Sequence, residues 1–467
     1  MEQLNRRKFM SKLGCGAMGM TTLYSSLINL KAIGAAAGLF SGPEEDYKAL
    51  VCVLLSGGND SYNMLVPMAS DEYKDYSVTR SNLALAREGL LTLNVQNAGG
   101  RSYGLHPSMG RVRGLFNDRK LAFIANIGTL VQPTTKADWE KNDFDLPLGL
   151  FSHSDQMQQW QTAFPHERSA VGWGGRIADM VKSVNKDNGI SMNISLAGTN
   201  VFQSGKTTIE YAIDPNNGSE GIYGYGVTDQ WDVINRMRTA AIDSLVEHQY
   251  QNIFQQTYVD VIRVSRDASI LFNEALSHVG EFKTTFTDNY LSNSFQMIAR
   301  VIAARKELGM KRQIFLVDFG GWDHHDEVLA NQQDMLGTVS NAWGEFADVL
   351  KEINMTDNVV TFSVSEFGRT LTSNGNGTDH AWGGNVMTMG GPVAGGKIYG
   401  KYPSLALENS LELGNGVLIP TTSVDQYFSE LAMWFGVNKS SLKDIFPNLS
   451  NFYNLNSTSK PIGFLNF

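Results

Sequence analysis

The chain has eight histidines, and three of them, His324, His325 and His380, fall in two short loops rich in acids and glycine. The first loop reads Gly320-Gly321-Trp322-Asp323-His324-His325-Asp326, and the second ends in Gly377-Thr378-Asp379-His380. Between them lies Ser365-Glu366-Phe367-Gly368-Arg369, and far upstream Gly57-Gly58-Asn59-Asp60 is followed by Asn63. Taken singly, each has a structural explanation: Asp60 as a helix cap, residues 323–326 as a polar turn, Glu366 as a partner for Arg369, Asp379-His380 as turn chemistry. Together they offer carboxylate oxygens and imidazole nitrogens without cysteine, a donor set suited to zinc, manganese or a similar divalent ion. One such ion polarises an ester oxygen or activates water, and two held ~4 Å apart clamp both the attacking and the leaving oxygen. Asp60, Asp323, His325, Glu366, Asp379 and His380 are the candidate metal ligands. Asn63 and Arg369 are candidate substrate contacts, Arg369 because its planar fork grips an oxyanion.

A nucleophile comes from elsewhere. Leu150-Phe151-Ser152-His153-Ser154-Asp155-Gln156 precedes a helical pattern containing Met157 and Trp160. A serine at a helix start sits among free amides that favour an anion. Ser152 is the candidate nucleophile, and by the same spacing a helix N-cap. His153 is a ligand, a substrate contact or a surface residue, and its local sequence does not separate these.

The elements that must position these loops alternate. Unbroken apolar runs at 48–55 (KALVCVLL), 121–127 (LAFIANI), 313–319 (QIFLVDF) and 358–364 (NVVTFSV) read as strands buried on both faces. Residues 190–196 and 386–389 are weaker strands. Helical patterns at 107–117 and 332–353 lie between them, so the reading is a mostly parallel sheet covered on both sides. In such sheets ligands bind beyond the carboxyl ends of the strands, where the acids and histidines recur. From about 229 to 308 apolar residues such as Ile234, Met237, Ala241 and Leu245 recur at helical spacing, which reads as a helical insertion. Residues 421–437 read as a helix capped by Thr422 or Ser423 that turns Val424, Phe428, Leu431 and Phe435 inward.

Composition closes off other classes. The formal charge of -9 argues against a nucleic-acid binder. Two cysteines, Cys15 and Cys52, exclude a disulfide framework and a cysteine zinc site. Asn5-Arg6-Arg7-Lys8-Phe9-Met10, a weakly apolar stretch from Leu13 to Leu30 and Ala35-Ala36-Ala37 form a twin-arginine export signal over residues 1–37. This expectation makes the export machinery a partner and the periplasm or cell envelope the destination. Residues 38–467 then form a single domain, and no later segment reaches the ~18 continuous apolar residues of a membrane span.

Eight stretches carry a family resemblance: LSGGNDSYNMLVP, LHPSMGRVRGLF, FSHSDQMQQWQ, GWGGRIAD, GGWDHHDE, SEFGRTLTSNGNGTDHAWGGN, GGKIYGKYP and PTTSVDQYFSELAMWFGV. They extend from about residue 50 to 437 and resemble the exported proteins of the domain-of-unknown-function family 1501. That family resembles a distant branch of the alkaline phosphatase and sulfatase superfamily. The resemblance implies a three-layer α/β/α sandwich with a metal-dependent site. It implies Asp60 beside the nucleophile, Ser152 in the nucleophile's region, Asp323 and His325 on the other metal, Glu366 in place of the acid of an Asp-His motif, and His380 with Asp379 as the last ligands. Phe367 stands where that motif has histidine, and Ala381 where members carry glycine, which leaves two metals, one metal or a degenerate site. The expected function is hydrolysis of phosphate or sulfate esters of small molecules or polymers. The alternative is a non-catalytic envelope-binding or secretion-associated protein.

Overall fold

The computed structural model describes residues 46–467 apart from 142 and 227–229. The expected export signal at 1–37 lies outside the described residues. The strands are β1 (Lys48–Leu54), β2 (Leu65–Pro67), β3 (Leu91–Thr92), β4 (Tyr103–Leu105), β5 (Leu121–Gly128), β6 (Asn193–Ser195), β7 (Tyr211–Ala212), β8 (Arg312–Asp318), β9 (Val359–Val364), β10 (Gly384–Met389), β11 (Ile398–Gly400) and β12 (Thr422–Ser423). The helices of eight or more residues are α1 (Ser70–Arg80), α2 (Gly110–Asn117), α3 (His153–Thr162), α4 (Trp173–Val181), α5 (Val233–Glu247), α6 (Ile253–Ser277), α7 (Tyr290–Ala303), α8 (Val328–Glu352) and α9 (Val424–Phe435).

Nine strands form the main sheet in the order β11-β5-β10-β9-β1-β8-β6-β7, with β12 beside β5. β1 runs parallel to both β8 and β9, β6 parallel to β7 and β8, and only β10 runs antiparallel to its neighbours. Residue alternation sends Ala49, Val51 and Val53 of β1 into one core and Leu50, Cys52 and Leu54 into the other. Both faces are therefore apolar, which is why the run at 48–55 shows no polar alternation. On the first face α7 and α8 pack through a stacked Phe295–Phe346 pair, centroids 4.5 Å apart. On the second, α4 and α9 pack through Trp173 and Phe428, also stacked at 4.5 Å. The result is a three-layer α/β/α sandwich with a mostly parallel sheet.

α9 begins as expected. Ser423 caps it, with Gln426 returning a side-chain bond to the Ser423 amide, and Val424, Phe428, Leu431 and Phe435 are buried. The helical segment after residue 229 divides in two. α7 belongs to the core, burying Leu291, Phe295, Ile298 and Ile302. α5 and α6 form a hairpin whose stripe of Ile234, Met237 and Leu245 faces solvent. Among the described residues, no helix is long and apolar enough to cross a membrane.

Asp425, in the first turn of α9, is fully buried. Burial raises its carboxyl to about 7, against the lowering influence of Ser423, its own backbone amide and Arg176. The folded state thus favours the neutral acid, while the unfolded carboxyl titrates near 3.8. Stability is fully present below the unfolded value and is lost as pH rises through the folded value. Asp425→Asn should therefore melt several degrees above wild type at pH ~8 and lose that advantage toward pH ~4. Thermal melts across this range check it, and a difference that does not change with pH refutes the assignment.

Candidate metal centre

Four segments meet at one edge of the sheet. Three are the loops that leave the carboxyl ends of the adjacent parallel strands β1, β8 and β9, and the last of these runs on into β10, whose amino end lies at that same edge because β10 is antiparallel. The fourth is the start of α3, which brings Phe151 and His153. Residues 366–370 pair back on 379–383: Gly368 N–H donates to the Trp382 carbonyl at 2.9 Å, Ala381 N–H to that of Gly368 at 2.9 Å, and Thr370 N–H to that of Asp379 at 3.0 Å. This ladder carries His380 over Glu366. Glycine makes the approach possible. A Cβ on Gly57 (φ 120°) would lie 2.4 Å from the Asp323 amide nitrogen, and one on Gly377 would lie 2.2 Å from the His325 carbonyl carbon.

At the centre, His380 Nε2 lies 3.0 Å from His153 Nε2 and 3.0 Å from His325 Nε2. The Asp323 carboxylate joins them, with Oδ1 3.1 Å from His325 Nε2 and 3.4 Å from His380 Nε2, and Oδ2 3.4 Å from His153 Nε2. The other nitrogen of each ring is engaged. His153 Nδ1 faces Glu366 Oε1 at 2.8 Å, His325 Nδ1 faces Asp379 Oδ1 at 3.0 Å, and His380 Nδ1 faces the Phe151 carbonyl at 2.8 Å. Each acceptor draws the ring proton to Nδ1, so all three Nε2 lone pairs point at the centre. A tetrahedral shell with bonds of ~2.0–2.1 Å sets neighbouring donors roughly 3.3 Å apart. The ligand atoms of His153, Asp323 and His380 lie close enough together to hold one divalent cation, and His325, 3.0 Å from His380 Nε2 and 3.1 Å from Asp323 Oδ1, stands beside them with its Nε2 also 3.5 Å from Arg369 Nη1.

Electrostatics agree. Burial lowers the His380 pKa, helped by Arg369 and His153 and opposed by the hydrogen bond to Phe151 and by Asp323, so the ring favours its neutral, ligating form. For Asp323 partial burial pushes the carboxyl up, but Arg369, His153 and His325 outweigh it and hold it below the ordinary value. Phe367 walls the pocket, its ring centroid 4.8 Å from that of His153 and 4.7 Å from that of His380. The side chains of Asp323 and His325 are 47% and 45% exposed, so the centre opens to solvent.

The other expected site residues stand around this centre. Glu366 is fully buried, accepting from the Gly57 amide at 2.7 Å as well as from His153, and Asp379 accepts from Asn374 at 3.0 Å. Both orient histidines. Asp60 does not reach the cluster. Its carboxylate is paired with Arg80 from the end of α1, both fully buried. Asn63 serves the same pair, accepting from Arg80 Nε at 3.1 Å and from the Tyr76 hydroxyl at 2.8 Å. Arg369 has no exposed side-chain surface. It donates to the carbonyls of Gly58 and Thr378, each at 2.9 Å, and to Gly57 and Asp323. Ser152 caps α3, accepting from the Asp155 amide at 3.5 Å and sharing a bond with Ser154 at 3.1 Å. His153, the next residue, is the one brought to the cluster. The sequence left its role open, and the signal for it was there: a histidine in the first turn of a helix, beside the residue that a superfamily resemblance places at the active site. Arg80 had no such signal.

Among curated proteins, none matches the chain. The solved structures it is similar to include a PsFucS1 sulfatase from Pseudoalteromonas sp., at 9% identity over 88% of this chain and 71% of that one, with a TM-score of 0.34. Others are the C-terminal periplasmic domain of EcEptC from Escherichia coli in complex with Zn (10%, 90% and 93%, TM-score 0.35) and a mutant of the alkaline phosphatase PafA (10%, 71% and 64%, TM-score 0.28). The family model described as "Protein of unknown function (DUF1501)" matches residues 47–445, and the chain belongs to that family.

The Asp60–Arg80 pair makes its own prediction. Deleting one partner of a buried ion pair leaves an uncompensated charge, which costs about 3–5 kcal/mol. Asp60→Ala should lower the unfolding free energy by that amount in urea titrations, and a loss below ~1 kcal/mol would show the pair to be dispensable.

Proposed function

We propose that this DUF1501 member is a metal-dependent hydrolase of phosphate or sulfate esters. It is built on one divalent ion, zinc or manganese, held by His153, Asp323, His325 and His380. The observation that carries this reading is the convergence of three imidazole Nε2 atoms and one carboxylate, each ring fixed through Nδ1. An ion bound there polarises an ester oxygen and lowers the pKa of water to ~7. Glu366, Asp379 and the Phe151 carbonyl hold the ring protons away from the centre. Arg369 ties Asp323 to the β1 and β9 loops and stiffens the centre. Ser152 starts α3 and thereby sets His153. It is no longer the favoured nucleophile, because its hydroxyl is bonded within the helix start. The twin-arginine pattern supports export by that machinery, so the substrate is an ester, small or polymeric, of the periplasm or envelope.

One observation favours a second reading, an exported protein that binds metal without turnover. Arg80 and Arg369 are both buried and engaged by carboxylates and backbone carbonyls, so neither offers a fork to a substrate oxyanion.

Elemental analysis of the purified chain after zinc or manganese loading should give one ion per chain. Asp323→Ala and His380→Ala should lose it, and Glu366→Gln should weaken it 10–100-fold. The absence of bound metal in wild type refutes both readings. Turnover of p-nitrophenyl phosphate or sulfate by the loaded chain separates them, and retained metal with no turnover selects the second. Ser152→Ala should retain the ion and most of the turnover while losing about 1 kcal/mol of stability with its cap. Abolished turnover with the ion retained would restore Ser152 as nucleophile.

A further inference from the structure

The hairpin of α5 and α6 is amphipathic in the wrong sense for a monomer. The face of α5 turned toward its own chain is largely polar. Asp243 accepts from the Tyr225 hydroxyl at 2.6 Å and from Arg266 of α6 at 3.1 Å, and Asn235 accepts from Arg238 at 2.6 Å. The face turned to solvent is apolar: Ile234, Met237 and Leu245 are 73%, 68% and 60% exposed, with Ala241 exposed between them. α6 adds exposed apolar side chains of its own, Phe254, Tyr258 and Val261, at one helical spacing and 83%, 67% and 59% exposed. Side chains of this size cover on the order of 1,000 Å² together, aromatics alone burying ~150–250 Å² each. A standard interface needs about 800 Å² per partner. Monomers rarely leave a contiguous apolar patch larger than a few hundred Å² open to water.

We propose that this hairpin is covered by the same hairpin of a second copy of the chain, in a two-fold dimer. An isologous contact requires a self-complementary patch, and α5 has one. In an antiparallel pairing about Ala241, the small side chain lies on the axis and lets the helices approach. Met237 then meets Leu245 of the second copy. Arg236 lies beside Glu247 of the second copy, so each α5 contributes a cation at one end and an anion at the other. The pairing buries the apolar stripe and matches charge with charge, which neither an apolar partner surface nor a uniformly charged one achieves. The dimer leaves the metal centre out of the contact, so its failure would say nothing about that centre.

Analytical ultracentrifugation of the full chain at micromolar concentration tests the proposal, with metal content and circular dichroism measured on every variant. Wild type is expected at twice the mass of one chain. Met237→Glu with Leu245→Glu should give a monomer with unchanged helicity and metal content, since both positions face solvent. Arg236→Glu and Glu247→Arg should each weaken dimerisation at least tenfold, and the double exchange should restore it. A wild-type monomer overturns the proposal, as does a dimer indifferent to Met237→Glu with Leu245→Glu. Single charge variants that leave the dimer unchanged overturn the antiparallel pairing. A monomer that floats with vesicles of phosphatidylethanolamine and phosphatidylglycerol assigns the patch to a lipid surface instead.

Discussion

The Nε2 atoms of His153 and of His325 each lie 3.0 Å from that of His380, with a lone pair presented on either side of both contacts. Two such lone pairs repel, and only a shared proton or a cation turns the contact into attraction. A proton joins two nitrogens at most. The Asp323 carboxylate lies 3.1–3.4 Å from these nitrogens, and with His153 and His380 it forms a donor set that could hold a cation, the Arg369 guanidinium closing the side toward His325. Much of the architecture at this edge serves that single demand. Glu366 is buried, its carboxylate accepting from the Gly57 amide and the Ser365 hydroxyl and facing His153, and its burial makes sense as the acceptor that fixes His153. Phe151, with a left-handed φ of 71°, is strained in a way that aims its carbonyl at His380.

The sheet makes this possible because β8, β1 and β9 are adjacent and parallel. Three consecutive strand ends then release their loops within the ~5 Å spacing of neighbouring strands. β10 runs the other way, so it brings in His380 from the same edge rather than carrying it to the far side. A fully parallel arrangement would place a residue preceding this strand at the opposite end of the sandwich. The single reversal of direction in the sheet is thus a requirement of the site.

What the sequence reveals and what it hides follow the same division. Unbroken apolar runs mark strands buried on both faces, so the sandwich and the edge that collects Asp323, His325 and His380 were legible. The sorting of acids into those that face the centre and those that hold its histidines was not. Glu366 and Asp379 differ from Asp323 only in which atom they face, and that depends on how residues 366–370 pair with 379–383. Asp60 looked equivalent to the others because its partner lies twenty residues on, at the end of α1, in a segment without motif. The stripe on α5 has the period of a buried face. Periodicity reports that one side of a helix is apolar but not what covers it, and here the polar side found partners first, through Asp243, Tyr225 and Arg266.

The Asp60–Arg80 pair bears on how many ions the proposed centre could hold. A carboxylate at the end of the first strand, beside a metal site, is well placed to hold a second ion. Here a guanidinium from α1 neutralises it, anchored further by Asn63 and the carbonyls of Thr370 and Leu371. A guanidinium balances the charge of Asp60, but it cannot coordinate an ester oxygen or acidify water. On the single-ion reading, charge compensation is thereby separated from chemistry. The fold keeps a buried acid at the strand end and a fixed cation beside it, and leaves all Lewis acidity to the one position where three histidines converge. Such a centre cannot clamp the attacking and leaving oxygens from both sides. On the proposed hydrolase reading, an ester cleaved there must either carry a good leaving group or find its second electrophile in the substrate or a partner, since Arg80 and Arg369 are already committed.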